Sequence, residues 1–145
     1  MRLVPPPPSS TGTTKAMRAN KGKNTKPEMN LRKCLRSVGL SGYRLSYKKA
    51  PGRPDICYPG KRLAIFVHGC FWHRCPKCNL PMPKSNIGYW KEKFRRNKER
   101  DQRKRRELEK DGWKVLEVWE CQLRKNQIKI AKMIKAYHRE SEVRR

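Results

Sequence analysis

The twelve residues Val67-His68-Gly69-Cys70-Phe71-Trp72-His73-Arg74-Cys75-Pro76-Lys77-Cys78 hold three of the chain's six cysteines, two of its three histidines and an adjacent aromatic pair. Metal binding, proton transfer and base stacking could share this one region. Cysteine thiolates suit tetrahedral zinc, and Cys70-x4-Cys75-x2-Cys78 presents three of them; Cys121, behind a later strand, can supply a fourth. A closed set of four leaves no open coordination position, so such a site would be structural. The alternative is four unrelated thiols. Cys34 lies in a helical pattern and Cys57 in an apolar strand-like run, so each reads as a small buried side chain. Imidazole can take a proton near neutral pH, and His68 and His73 stand in a glycine- and cysteine-containing loop suited to it. Asp55 is the only carboxylate between Glu28 and Glu92. Hard oxygen ligands suit magnesium, whereas an aspartate after Pro54 can also simply cap a turn.

The elements that must position these groups follow from local pattern. Thr25 can cap a helix with Pro27 in its first turn and Glu28 closing a capping box. That helix carries Met29, Leu31, Leu35 and Val38 among its apolar positions and stops at Gly39. Tyr43 to Tyr47 reads as a short strand, Asp55 to Tyr58 as a second and Leu63 to Val67 as a third, buried one. The prolines and glycine of Ala50-Pro51-Gly52-Arg53-Pro54 set the approach of Asp55, at one strand's start beside the next strand's end. Residues 69 to 86 read as irregular. A long helix from about Ile87 to Asp111 is closed by Gly112, a strand covers Trp113 to Trp119, and an amphipathic helix with Ile128, Ile130, Ile134 and Tyr137 runs from about Asn126 to Glu140. Residues 1–15 combine proline, serine and threonine in a composition expected to form a disordered leader, leaving residues 16–145 as a single domain with a C-terminal helix.

A net charge of +26, from 38 Lys and Arg against 12 Asp and Glu, points to a polyanionic partner, with nucleic acid favoured over a membrane surface because the charge runs through the whole chain. No run approaches the roughly 18 apolar residues of a spanning helix. The Met1-Arg2-Leu3-Val4-Pro5 start is a poor signal peptide, so a cytoplasmic protein is expected, with clustered cysteines serving metal rather than disulfides.

Pro51-Gly52-Arg53-Pro54-Asp55, Phe66-Val67-His68-Gly69-Cys70-Phe71-Trp72-His73, Glu99-Arg100-Asp101, and Gly112-Trp113 with Val118-Trp119-Glu120-Cys121 form an ordered series. Over about residues 16 to 125 it closely resembles the very short patch repair (Vsr) endonucleases, bacterial enzymes that nick DNA beside a T:G mismatch made by deamination of 5-methylcytosine. The resemblance implies an α/β restriction-endonuclease-like fold, with a central mixed β-sheet flanked by helices. It implies magnesium-dependent cleavage 5′ to the mismatched thymine, a structural zinc ion, and monomeric action on duplex DNA in the bacterial nucleoid. It also points to repair-protein partners such as MutL. Among site residues it implies Asp55 and the Val67 backbone carbonyl as magnesium ligands. His73 is expected as the base, His68 as a phosphate contact or leaving-group helper, Glu28 as a residue orienting the histidine, and Asp101 as a further family carboxylate. Phe71 and Trp72, with Trp90, would wedge between base pairs. Two departures stand out: the zinc set is all cysteine where relatives mix in histidine, and Val67 stands where threonine is common. The third strand also ends without the acidic residue and lysine of the general nuclease pattern. Two other readings remain, a nuclease of the same fold with broader lesion or site specificity and a non-enzymatic zinc-stabilised DNA-binding module.

Overall fold

In this computed structural model residues 25–143 are described, and the leader expected over residues 1–15 lies outside them. The first helix, α1 (Lys26–Ser37), starts as its capping signals require: the Thr25 hydroxyl accepts from the Glu28 amide at 3.4 Å, Pro27 occupies the first turn, and Gly39 takes φ +85° after the last turn. Leu31, Leu35 and Cys34 are buried, while Met29 is 48% exposed. Met29 sits two residues before Leu31, about 200° around the helix, and so cannot share its face.

Four strands follow: β1 (Arg44–Leu45), β2 (Ile56–Tyr58), β3 (Leu63–His68) and β4 (Lys114–Trp119). They lie side by side in the order β1-β2-β3-β4. The first two pairings are antiparallel, and β3 runs parallel to β4 with Val67 opposite Val118 and His68 opposite Trp119. β1 is shorter than the expected Tyr43–Tyr47 strand because Ser46 turns to φ +46°, taking the chain out of extended geometry. A parallel pair needs a crossover, and α2 (Ile87–Lys110) supplies it between β3 and β4.

Every residue of β3 is buried because both faces of the sheet are covered. Leu63, Ile65 and Val67 join α1 and the C-terminal helix in one core with Leu31, Leu35, Ile130 and Ile134. Ala64 and Phe66 point the other way, into a smaller core with Leu108 of α2, Trp113 and Val115. His68 continues that second face, its ring stacked 6.3 Å from Phe66. The last helix, α3 (Glu120–Val143), begins six residues earlier than the amphipathic pattern suggests and is interrupted at Asn126. The Asn126 Oδ1 accepts from the Lys129 amide at 3.1 Å, so the expected helix start is a cap inside a longer element. Ile128, outside the Ile130–Ile134–Tyr137 stripe, is 43% exposed. Among the described residues no helix is long and apolar enough to cross a membrane.

Candidate active site and metal centre

Asp55 emerges from a turn in which Gly52 and Arg53 both take positive φ. Its Oδ2 accepts the Val67 amide at 2.8 Å, fastening the carboxylate to the end of β3. Burial lifts the Asp55 carboxyl to about 6; the Val67 hydrogen bond opposes that, the Glu28 carboxylate adds to it, and Lys104 and His73 counter it weakly. A buried carboxylate with a second one nearby is a place that lacks positive charge.

The other wall of the site comes from α2. Trp90, Phe94, Asn97, Asp101, Lys104 and Leu108 recur at intervals of four and three, which puts them on one helical face. The face changes character along its length, from aromatic through polar to apolar. Asp101 Oδ2 meets His73 Nδ1 at 2.5 Å. A carboxylate can only accept, so Nδ1 carries the proton and Nε2 is left with a free lone pair. His68 lies with its ring 4.2 Å from that of His73, and burial followed by the His73 charge lowers it to about 4, keeping it neutral at physiological pH. Its nearest acid, Glu117, is 4.0 Å away, beyond a hydrogen bond. Asp55, His68, His73, Asp101, Lys104 and Glu28 all line one open cleft of about 390 Å³.

Four of the expected groups therefore meet here: Asp55, Val67, His68 and His73. Asp101 joins them through His73. Glu28 is buried and lines the same cleft, with Arg32 at 3.4 Å; the carboxylate that meets His73 is that of Asp101. Lys104 was hidden in the run of basic residues on the helix, although its place three residues after Asp101 marks it out. Asn97 was missed as well; it is 8% exposed and donates to the Trp72 carbonyl at 3.0 Å, tying the loop to α2.

Phe71 and Trp72 are half-buried at the cleft's rim. They pack edge-on at 5.1 Å and lean on a base formed by Trp90 and Phe94. Trp90, expected in the wedge, is only 3% exposed and supports the pair from beneath. Arg74 lies 4.6 Å above the Phe94 ring.

Gly69 separates His68 from the second cluster. Cys70, Cys75, Cys78 and Cys121 place their sulfurs within 4.8 Å of one another, and all six cysteines are free thiols. Cys75 and Cys121 stand 3.8 Å apart. Tetrahedral zinc with bonds of about 2.3 Å requires sulfurs about 3.8 Å apart. The backbone is arranged for thiolates: the Cys121 amide donates to Cys70 Sγ at 3.4 Å, and amides of Cys78 and Lys77 hold the Cys75 thiol low although burial works against them. Burial pushes Cys70 up, as expected for a sulfur whose charge is met only when a cation is bound. The four side chains can hold a metal ion, while Cys34 and Cys57 stand apart as core residues.

A family model described as DNA mismatch endonuclease Vsr matches residues 10–80. A Xanthomonas oryzae protein named type II nicking enzyme V.XorIIP is 46% identical over 108 residues, covering 74% of this chain and 78% of the relative. The Escherichia coli K12 protein named DNA mismatch endonuclease Vsr is 40% identical over 111 residues, covering 77% of this chain and 70% of its own. A Neisseria meningitidis protein named type II nicking enzyme V.NmeAIP is 45% identical over 108 residues, covering 73% and 75%. With these relatives the protein is an endodeoxyribonuclease, and the acid and histidine cleft on its mixed sheet is the candidate active site. The chain belongs to the Vsr family of DNA mismatch endonucleases.

Proposed function

We propose that the protein nicks duplex DNA on the 5′ side of the thymine in a T:G mismatch, by magnesium-dependent hydrolysis, on a restriction-endonuclease-like fold. The observation that carries this reading is Asp55 held on the Val67 amide beside the His73–Asp101 pair. Magnesium fits the buried, charge-deficient carboxylate: Asp55 would hold it with the Val67 carbonyl. Extending the β2–β3 register by two residues puts Val67 opposite Pro54, which has no amide proton to occupy that carbonyl. When bound, the ion supplies charge to offset that growing on the phosphate and helps activate water.

The chain's own residues divide the remaining work. His73 Nε2 takes the proton from the attacking water, and Asp101 holds the ring in the tautomer that allows it and steadies the imidazolium formed. His68, neutral and recessed, contacts the phosphate. Glu28 completes the acidic wall behind Asp55. Phe71 and Trp72 enter the stack beside the mismatch, which opens at lower cost than a paired step, and the Trp90–Phe94 base keeps them rigid. Four thiolates bind zinc as a closed structural site that fixes the loop carrying His73 and the wedge. The protein works as a monomer, and MutL-type repair proteins would act on the nicked product.

The relatives named nicking enzymes support a second reading, in which the same chemistry serves a different surrounding recognition sequence. Labelled T:G and C:G duplexes incubated with magnesium separate the possibilities. Nicking of the T:G strand alone is expected, across a panel of flanking sequences. Equal cleavage of matched DNA would leave a broader nuclease.

A further inference from the structure

We propose that Lys104, projecting from α2 into the Asp55 cleft, contacts the scissile phosphate and neutralises the charge that grows on its oxygens. This rests on the reading of Asp55 and His73 as the hydrolytic centre. In that reaction water's oxygen bonds to phosphorus and its proton passes to His73 Nε2; the ester P–O bond breaks and the departing oxygen takes a proton from solvent water. Negative charge accumulates on the phosphoryl oxygens meanwhile, and a fixed cation at that point favours the transition state over the ground state.

The end of β3 offers no such fixed cation, since it closes on Phe66-Val67-His68 without a lysine or arginine. Lys104 lines the cleft with Asp55, His68 and His73, and its charge reaches Asp55 and His68 alike. Of the other cations on α2, Arg95 and Arg96 bind Glu92, and Arg105, next to Lys104, binds Glu109 and Glu117. Lys104 has no ion-pair partner among the described residues, and its Nζ rests 5.9 Å from the Phe66 ring. Its stem is also held. A Cβ built on Gly52, which has φ +74°, would lie 2.8 Å from Lys104 Cβ and Cγ, so the glycine lets the turn that delivers Asp55 sit directly on the lysine. Carboxylate and ammonium are thus positioned by one contact.

The test is single-turnover nicking of a T:G duplex by the full chain at saturating enzyme with magnesium. It compares wild type, Lys104→Gln, Lys104→Arg and Asp55→Asn, with duplex affinity measured separately by anisotropy without divalent cations. Lys104→Gln should lower the rate on the order of 10²-fold with affinity within about threefold, and Lys104→Arg should recover most of the loss. An unchanged saturated rate in a folded Lys104→Gln protein, or a deficit confined to affinity, overturns the proposal. A Lys104→Arg protein as slow as Lys104→Gln overturns it too. Should Asp55→Asn still nick, the reading of the cleft itself fails. If Asp55→Asn is silent while Lys104→Gln is fast, only the role of Lys104 fails.

Discussion

Gly69 stands between two clusters of metal-ligating side chains arranged to opposite ends. On one side Cys70, Cys75, Cys78 and Cys121 form a closed set of four like donors, mutually within 4.8 Å. On the other, Asp55, His68, His73 and Asp101 line an open cleft and are unlike in chemistry and burial. The sulfur set is complete once a cation fills it, and its binding energy goes into folding. The cleft leaves acceptor positions free, and Asp55 is held there at a cost to the fold. Closure suits the proposed scaffold; incompleteness suits the proposed reacting centre.

The comparison breaks most readily at the sulfurs. Zinc sites of this kind contribute roughly 10 to 16 kcal/mol of apparent binding free energy. Cys78→Ser should therefore lower both the metal content and the melting temperature, by well over 10 °C; an unchanged metal-to-protein ratio by elemental analysis would remove the assignment. Next in size, Asp55→Asn should reduce nicking by about 10³-fold or more, while the metal held by the thiolates stays at its wild-type level. If that metal were lost as well, the two clusters would not be separate in function.

The same substitution sharpens the contrast in the opposite direction. Asp55 has a folded-state value of about 6 against 3.8 for the free side chain, so its ionisation opposes folding. Between those values the folded protein holds more protons, and stability gained on acidification is withdrawn as pH rises through about 6. Without divalent cations Asp55→Asn should exceed wild type by up to about 3 kcal/mol at pH 7.5, with the gap closing towards pH 4 and on adding magnesium. His68, lowered to about 4, has the reverse slope, losing stability as pH falls below about 6.5, but it is common to both proteins and cancels. Denaturant titrations at several pH values provide the check, and a less stable variant at pH 7.5 would contradict it. The smallest effect is expected from Asp101→Asn, which keeps shape but loses the charge on His73 and should slow nicking by about 10- to 10²-fold with little change in DNA affinity. A change in affinity alone would make Asp101 a binding group.

Much of this arrangement is legible before any coordinates. Thr25, Pro27, Glu28 and Gly39 delimit α1 because capping is local chemistry. The apolar run of β3 and the two prolines before Asp55 bring that carboxylate to the strand's end, and the cysteine spacing anticipates the sulfur cluster. What the chain conceals is the working face of α2. Its abundant Lys and Arg residues mask the four-and-three spacing that runs from Trp90 to Leu108, so Asp101 is singled out only by the family resemblance and Lys104 reads as one cation among many. Trp90 looks like a partner for Phe71 and Trp72, yet its burial depends on Phe94 one turn away and on a loop more than fifteen residues upstream. The helix start at Glu120 escaped notice because it follows β4 without a spacer, whereas Asn126 carries a visible capping signal.

The parallel pairing of β3 with β4 also sets an order of events for a growing chain. Asp55, both histidines and three of the four cysteines leave the ribosome well before Trp119 and Cys121, and Cys70 meets the Cys121 amide across 51 residues. Such distant contacts form slowly and late. A nascent protein that already carries Asp55 and both cleft histidines therefore still lacks the strand beside them and the fourth thiol of the cluster. The sulfur cluster and the frame of the cleft are completed only after β4 and the first turn of α3 have emerged.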